Sequence, residues 1–281
     1  MEIIHTPEAM QAFAETLRAS GKTIGLVPTM GFLHEGHLSL IDIAGAHADE
    51  VVVSIFVNPT QFAAGEDLDA YPRDMERDLD LCRDKGVAAV FTPDAGTLYP
   101  TGFETYVEPG NLTRHLCGLS RPTHFRGVTT IVSKLFNMTK PHVAVFGEKD
   151  FQQLAVIRRM TRDLNFDITI IGGPIVREAD GLAKSSRNAY LKPEHRPAAC
   201  SLHQGLNEGA ALIQAGETDA EAVRKAITSC ITAHASTEID YISICDPETL
   251  EEMEIIHKPV LMALAVKVGF PRLIDNRLVA D

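Results

Sequence analysis

His34 and His37 stand three residues apart in Pro28-Thr29-Met30-Gly31-Phe32-Leu33-His34-Glu35-Gly36-His37, directly after an apolar, strand-like run. Imidazoles at i and i+3 of a helix start lie on one face and reach the same anion. The first helical turn adds unpaired backbone N–H groups and the positive end of the helix dipole, which suits a phosphate. An isolated His-x-x-His is more often a helix cap beside a surface histidine. Here the preceding strand, the Thr-Met-Gly turn and Gly36 match a phosphate-binding loop between strand and helix. The stretch therefore reads as a holder of a nucleoside triphosphate. Zinc is a weak reading, because no cluster of Cys, His or carboxylate at metal spacing accompanies the pair.

Three further constellations could join this chemistry. Lys184-Ser185-Ser186-Arg187-Asn188 follows Arg177-Glu178-Ala179-Asp180-Gly181. Its hydroxyls and guanidinium can wrap a polyphosphate and stabilise a leaving pyrophosphate. By itself such a segment is more often a solvated loop with a helix cap. Joined to His-x-Gly-His, it forms the two-part signature of nucleotidyl-transferring enzymes. Phe146-Gly147-Glu148-Lys149-Asp150 ends a buried strand. Gly147 allows close backbone approach, Lys149 can face phosphate and Asp150 can accept from ribose hydroxyls; a glycine turn with an Asp cap is the plainer alternative. Finally, Asn58-Pro59-Thr60-Gln61-Phe62 also follows a strand, and Gln153 lies one turn into a later helix. Two neutral amides, Gln61 and Gln153, suit a small hydroxy acid, because they bind it without quenching its nucleophilic oxygen. A single buried Gln is usually structural.

These motifs require a scaffold that delivers each of them from a strand end. Helices are expected over residues 6–20, 36–48, 69–85, 127–139 and 150–164, and strands over 23–29, 51–57, 87–91, 142–146 and 168–171. Thr6 caps the first helix and Gly21 stops it. Wholly apolar strands alternating with helices imply a doubly wound α/β domain, in which ligands bind beyond the carboxyl ends of the strands. After about Val176 the pattern changes to long amphipathic helices over 193–215 and 218–235 and strands over 239–244 and 259–268. The expected organisation is a Rossmann-like parallel-sheet domain over 1–176 and a smaller α+β C-terminal lid domain over 177–281.

Composition narrows the function. The 281 residues are 45% hydrophobic and 23% charged, as in an ordinary soluble protein. The net charge of −12 argues against nucleic-acid partners, so any anionic ligand needs a local basic pocket. No apolar run is long enough to span a membrane, and the N-terminus lacks the pattern of a signal peptide. Cys82, Cys117, Cys200, Cys230 and Cys245 are odd in number and widely spaced. They read as reduced thiols of a cytoplasmic protein rather than a disulfide frame.

Residues 28–37, 56–62, Tyr71-Pro72-Arg73, His124-Phe125-Arg126-Gly127-Val128, 146–153, Ser185-Ser186-Arg187-Asn188, Ile239-Asp240-Tyr241 and Arg272-Leu273-Ile274-Asp275-Asn276 occur in order. Together they closely resemble the pantothenate synthetase, or pantoate–β-alanine ligase, family over nearly the whole chain. The resemblance implies that Met30, Gly31, Phe32, Leu33, His34, Glu35, Gly36 and His37 form the first ATP-binding segment, with His37 a catalytic proton donor. It implies that Gly147, Glu148, Lys149 and Asp150 form the second. Val176 would meet the adenine through its backbone, and Lys184, Ser185, Ser186 and Arg187 would close over the phosphates. Gln61 would contact pantoate and β-alanine, and Gln153 pantoate. Lys184 stands where the family usually has an apolar residue. Some members place magnesium-associated carboxylates near residues 71–78; here Arg77 stands beside Asp78, and no magnesium ligand is assigned.

The function implied is ATP-dependent condensation of (R)-pantoate with β-alanine through pantoyl adenylate, with Mg2+ accompanying ATP, in a cytoplasmic homodimer. His34, His37, Lys149 and Arg187 are the expected catalytic residues. Three alternatives are weaker. A cofactor adenylyltransferase would stop at an adenylylated product, but the paired amides and the large second domain weigh against it. A non-catalytic nucleotide-binding module does not need His34, His37 and Arg187 together. A tRNA ligase conflicts with the acidic charge and the lack of an anticodon-binding domain.

Overall fold

The structure, a computed structural model, describes residues 1–63 and 65–280. Six parallel strands form one sheet: β1 (Glu2–Ile4), β2 (Ile24–Thr29), β3 (Glu50–Ile55), β4 (Ala89–Phe91), β5 (Val143–Gly147) and β6 (Thr169–Gly173). Their order is β1-β4-β3-β2-β5-β6. From β2 the chain runs outward to β3 and β4, then crosses back to place β5 on the other side of β2. The β2/β5 boundary is thus the topological switch point, where a doubly wound sheet opens a crevice beyond its carboxyl ends.

Helices cover both faces of this sheet. They are α1 (Pro7–Ala19), α2 (Glu35–His47), α3 (Met75–Asp84), α4 (His124–Thr139) and α5 (Phe151–Asp163). Strand alternation sorts the core into two layers. Leu26, Val52 and Ala144 pack with Met10 of α1, Val128 of α4 and Ile157 of α5. Their neighbours Val27, Val53 and Val145 pack with Ile41 of α2 and Cys82 of α3. Both layers are apolar, so the strands read as continuous hydrophobic runs. Thr6 caps α1 by accepting from the N–H of Ala9, as its sequence predicts.

One expected helix is shorter than its pattern. Residues 69–74 do not join α3, which starts at Met75 with Asp74 as its cap. Pro72 restricts the residue before it to extended backbone. Arg73 then gathers the carbonyls of Leu68, Asp69 and Tyr71, at 2.9, 3.4 and 3.2 Å, into a turn.

A second antiparallel sheet, ordered β7-β8-β9, consists of β7 (Thr237–Cys245), β8 (Val260–Val268) and β9 (Arg272–Val279). It packs with α6 (Arg196–Gln214) and α7 (Ala220–Thr232) around Leu202, Leu206, Ile227 and Leu264. Two compact units result. One comprises residues 1–110, 121–148 and 153–174; the other comprises 111–120, 149–152 and 175–281. All five cysteines are free.

Candidate active site

After β2 the chain turns through Gly31 and Phe32, both at positive φ, +86° and 51°. Such a conformation is uncommon for Phe and must be held by its surroundings. Asp78 of α3 holds it. One carboxylate oxygen accepts from the N–H of Phe32 and the other from the N–H of Leu33, each at 2.7 Å. Arg77 donates to the Leu33 carbonyl at 2.8 Å and places its guanidinium over the Phe32 ring. Asp78 is 1% exposed. Burial pushes its carboxyl pKa up, against the lowering by the two backbone donors and Arg77. A side chain at position 31 would press on Asp78 and Ile55, so the turn requires glycine twice over, for φ and for space.

The turn delivers His34 as the cap of α2. Its Nδ1 accepts from the N–H of Gly36 at 3.2 Å, and Nδ1 of His37 accepts from the N–H of His34 at 3.3 Å. This is a capping box built from two histidines. The rings lie 4.1 Å apart, tilted by 38°. Both histidines thus cap α2 through Nδ1. Each Nδ1 faces a backbone donor, so each neutral ring carries its proton on Nε2. Glu35 is exposed in the first turn, where a negative charge suits the helix dipole.

Beyond β3, Asn58 caps a 3-10 turn, Pro59–Gln61. Asn58 is 1% exposed. Its amide nitrogen donates to Gln61 Oε1 at 3.2 Å and to the Gly127 carbonyl at 3.1 Å, and its oxygen accepts from the Tyr99 hydroxyl at 2.9 Å. That contact fixes which way the Gln61 amide points: its nitrogen lies 3.0 Å from the sulfur of Met30. The loops after β2 and β3 thus meet through Gln61 and Met30. The Gln61 carbonyl is held in turn by His124 Nδ1 at 2.8 Å and by Arg121 at 3.2 Å, while Arg121 pairs with Glu66 at 2.6 Å. A Cβ at Gly127 would stand 2.4 Å from the Thr60 carbonyl oxygen. Only glycine lets α4 approach this turn.

Beyond β5, the residue that ends the strand is Gly147, paired with Gly173 of β6. A Cβ there would meet only a Leu40 methyl at 4.0 Å, so the fold itself leaves room for a side chain. Glu148 follows and lies against Gly172. Gln153 is half-buried in the first turn of α5.

In the second unit, Lys149 places its ammonium 3.8 Å from the carboxylate of its neighbour Asp150. Residues 177–183 form a hairpin, closed by Lys184 N–H donating to the Val176 carbonyl at 2.9 Å. Ser185 caps the turn Ser186–Tyr190 and accepts from the N–H of Arg187. Asn188 donates to Glu178 and to the Ala183 carbonyl, both at 3.1 Å. Arg196 clasps Glu178 at 2.5 Å and Asp180 at 2.7 Å. Arg196 holds the Asp180 carboxyl well below its usual range. Burial opposes the same effect at Glu178, but Arg196 and Asn188 prevail and lower it.

Sequence reading misses three supports: Asp78 beneath the histidine loop, the Arg121 and His124 clasp on Gln61, and Asn276, which donates to the Lys149 carbonyl at 2.9 Å. Each acts on backbone atoms of residues distant in sequence. A carboxylate at 78 facing the donors of a left-handed turn at 32 leaves no local pattern to find.

The family model for pantoate–β-alanine ligase matches residues 2–278. A pantothenate synthetase of Desulfatibacillum aliphaticivorans is 56% identical over 278 residues, 99% of each chain. One of Moorella thermoacetica is 56% identical over 276 residues, 98% of each chain. Among solved structures, a pantothenate synthetase from Thermus thermophilus superposes with a TM-score of 0.95 at 42% identity, covering all of both chains. A pantoate–β-alanine ligase from Francisella tularensis, complexed with beta-gamma ATP and beta-alanine, gives 0.81 at 33% identity, covering 99% of this chain and 97% of that one.

Proposed function

The chain belongs to the pantoate–β-alanine ligase family, and from that membership we propose how its residues carry out the ligation. The enzyme uses ATP to join pantoate to β-alanine, giving pantothenate. In our reading the pantoate carboxylate first attacks the α-phosphorus of ATP. The bond to the β-phosphate oxygen breaks, pyrophosphate leaves, and pantoyl adenylate remains. The β-alanine amine then attacks the acyl carbon, AMP departs with the bonding pair, and the amine loses a proton.

The observation that carries this reading is the histidine capping box at the start of α2, beside the β2/β5 switch point. With both Nδ1 atoms accepting, His34 and His37 offer Nε2–H groups, and the helix start offers N–H groups and its dipole. This geometry supports hydrogen-bond donation to charge developing on phosphate. We assign ATP contacts to Met30–His37, Gly147, Glu148, Lys149, Asp150, Val176 and Lys184–Arg187. The unfilled space beside Gly147 supports close approach of a ligand there. Arg187 and Lys149 would stabilise the leaving pyrophosphate. Gln61 would face pantoate and then β-alanine, and Gln153 pantoate. We take residues 177–281 as the lid domain, which keeps water from the adenylate, and 1–176 as the ATP- and pantoate-binding domain.

Magnesium enters this reading with the nucleotide. Among the described residues no group of three or more His, Cys, Asp or Glu could hold a metal ion, and both Asp78 oxygens already accept backbone N–H groups. Bound with the nucleotide, Mg2+ would supply charge screening at the phosphates. We also propose a cytoplasmic homodimer without a nucleic-acid partner. The five free thiols suit a reducing compartment, the net charge is −12, and no helix among the described residues is long and apolar enough to cross a membrane.

Isotope exchange tests the order of steps. Pantoate alone should support exchange of labelled pyrophosphate into ATP. Exchange that strictly required β-alanine would overturn the adenylate route.

A further inference from the structure

β9 carries two adjacent buried polar residues, Asp275 and Asn276, 4% and 6% exposed. It is an edge strand of the three-stranded sheet, and adjacent strand residues point to opposite faces. Burying an Asp and an Asn side by side is unfavourable unless each finds partners. Each does, in a different segment of the same unit. The Asp275 carboxylate takes a bidentate grip from Arg177, at 2.6 and 2.9 Å. Arg177 opens the hairpin that leads into Lys184–Arg187, and it also donates to the Gly181 carbonyl at 3.0 Å. Asn276 donates its side-chain N–H to the Lys149 carbonyl at 2.9 Å, and its backbone N–H goes to Asp275 at 2.8 Å.

We propose that Asn276 is a positioning residue for the reaction: its hydrogen bond fixes the backbone from which Lys149 reaches the nucleotide, and Asp275 with Arg177 ties that point to the 177–187 segment. The inference rests on the assignment of Lys149 to ATP. Gln152, three residues on in the first turn of α5, anchors the chain that follows Lys149. Its amide donates to the carbonyls of Leu112 and His115 at 2.9 and 2.7 Å and accepts from the N–H of Cys117 at 3.0 Å. A lysine is a flexible point charge on a long stem. Holding its backbone from both sides is what lets that charge be aimed, and misplacement by about 1 Å costs on the order of a hundredfold in rate.

The test is a double-mutant cycle read by single-turnover pyrophosphate release from ATP and pantoate, with thermal unfolding measured in parallel. Lys149→Ala alone should slow release, and Asn276→Ala alone should slow it by about tenfold or more with most of the fold retained. In the Lys149→Ala background, Asn276→Ala should cost almost nothing further, because its effect passes through Lys149. Equal losses in both backgrounds, or a fully active Asn276→Ala enzyme, would overturn the proposal. A fully active Lys149→Ala enzyme would remove Lys149 from the nucleotide and the proposal with it, and that outcome is visible in a separate arm. Should Asn276→Ala unfold, the isosteric Asn276→Asp, which places a carboxylate against the Lys149 carbonyl, takes its place in the same cycle with the same expected coupling.

Discussion

His37 does two things with two nitrogens. Nδ1 closes the capping box on the N–H of His34, and Nε2–H is the edge assigned to phosphate. His37→Ala should therefore show two separable losses. Helix capping contributes about 1 kcal/mol, visible as a modest fall in melting temperature. Removing one donor to developing charge typically costs about a hundredfold in rate, visible in single-turnover adenylate formation. His37→Gln keeps a donor without a titrating proton and should recover a substantial part of the rate. If Gln is as poor as Ala, proton donation is the better account. A destabilised but fully active His37→Ala enzyme would leave His37 a cap only.

At the scale of elements, the site is a set of loops held by atoms of neighbouring helices. Gln61 is the clearest case, clasped through its carbonyl by Arg121 and His124 and through its amide by Asn58. All of this depends on α4 lying against the 3-10 turn at Gly127. Gly127→Ala puts a methyl 2.4 Å from the Thr60 oxygen, a backbone atom that cannot step aside alone. The turn must shift, at a cost of about 1–3 kcal/mol. The kinetic consequence should fall on pantoate: KM for pantoate rises severalfold while that for ATP changes little. Parallel rises in both constants would mean that the shift reaches the histidine loop and that Gln61 is not the main casualty.

At the scale of the whole molecule, all five cysteines are free and four of the five are buried. Burial pushes the Cys82 and Cys245 thiols up to about 12, so neither forms thiolate at neutral pH. Reagents that need thiolate should label the native enzyme slowly and all five cysteines once it is unfolded in guanidinium. Dithiothreitol should leave the melting temperature unchanged. Rapid labelling of several thiols in the native state would mean that the core opens far more readily than its packing indicates.

The sequence by itself determined the class of fold and the family. Apolar strands at residues 51–55 and 143–146 and the helices that alternate with them are local, periodic signals, and the His-x-Gly-His and Ser-Ser-Arg-Asn segments are short contiguous motifs. Strand ends placed the polar loops on one edge of the sheet because parallel strands share a direction. Elements without such periodicity escaped. β1 is only three residues long, and β9 interrupts its apolar positions with Asp275, Asn276 and Arg277. The helix pattern over 69–85 ran too far because Arg73, by gathering three carbonyls, overrides it. Tertiary structure alone decided what holds the site. Asp78 reaches the turn at Phe32 and Leu33 across some 45 positions, Asn276 reaches Lys149 across 127, and segments 111–120 and 149–152 cluster with the C-terminal sheet. Such contacts are between one side chain and the backbone of another segment. A backbone N–H or carbonyl is the same in every residue except proline, so its partner writes nothing into the sequence at the place it holds.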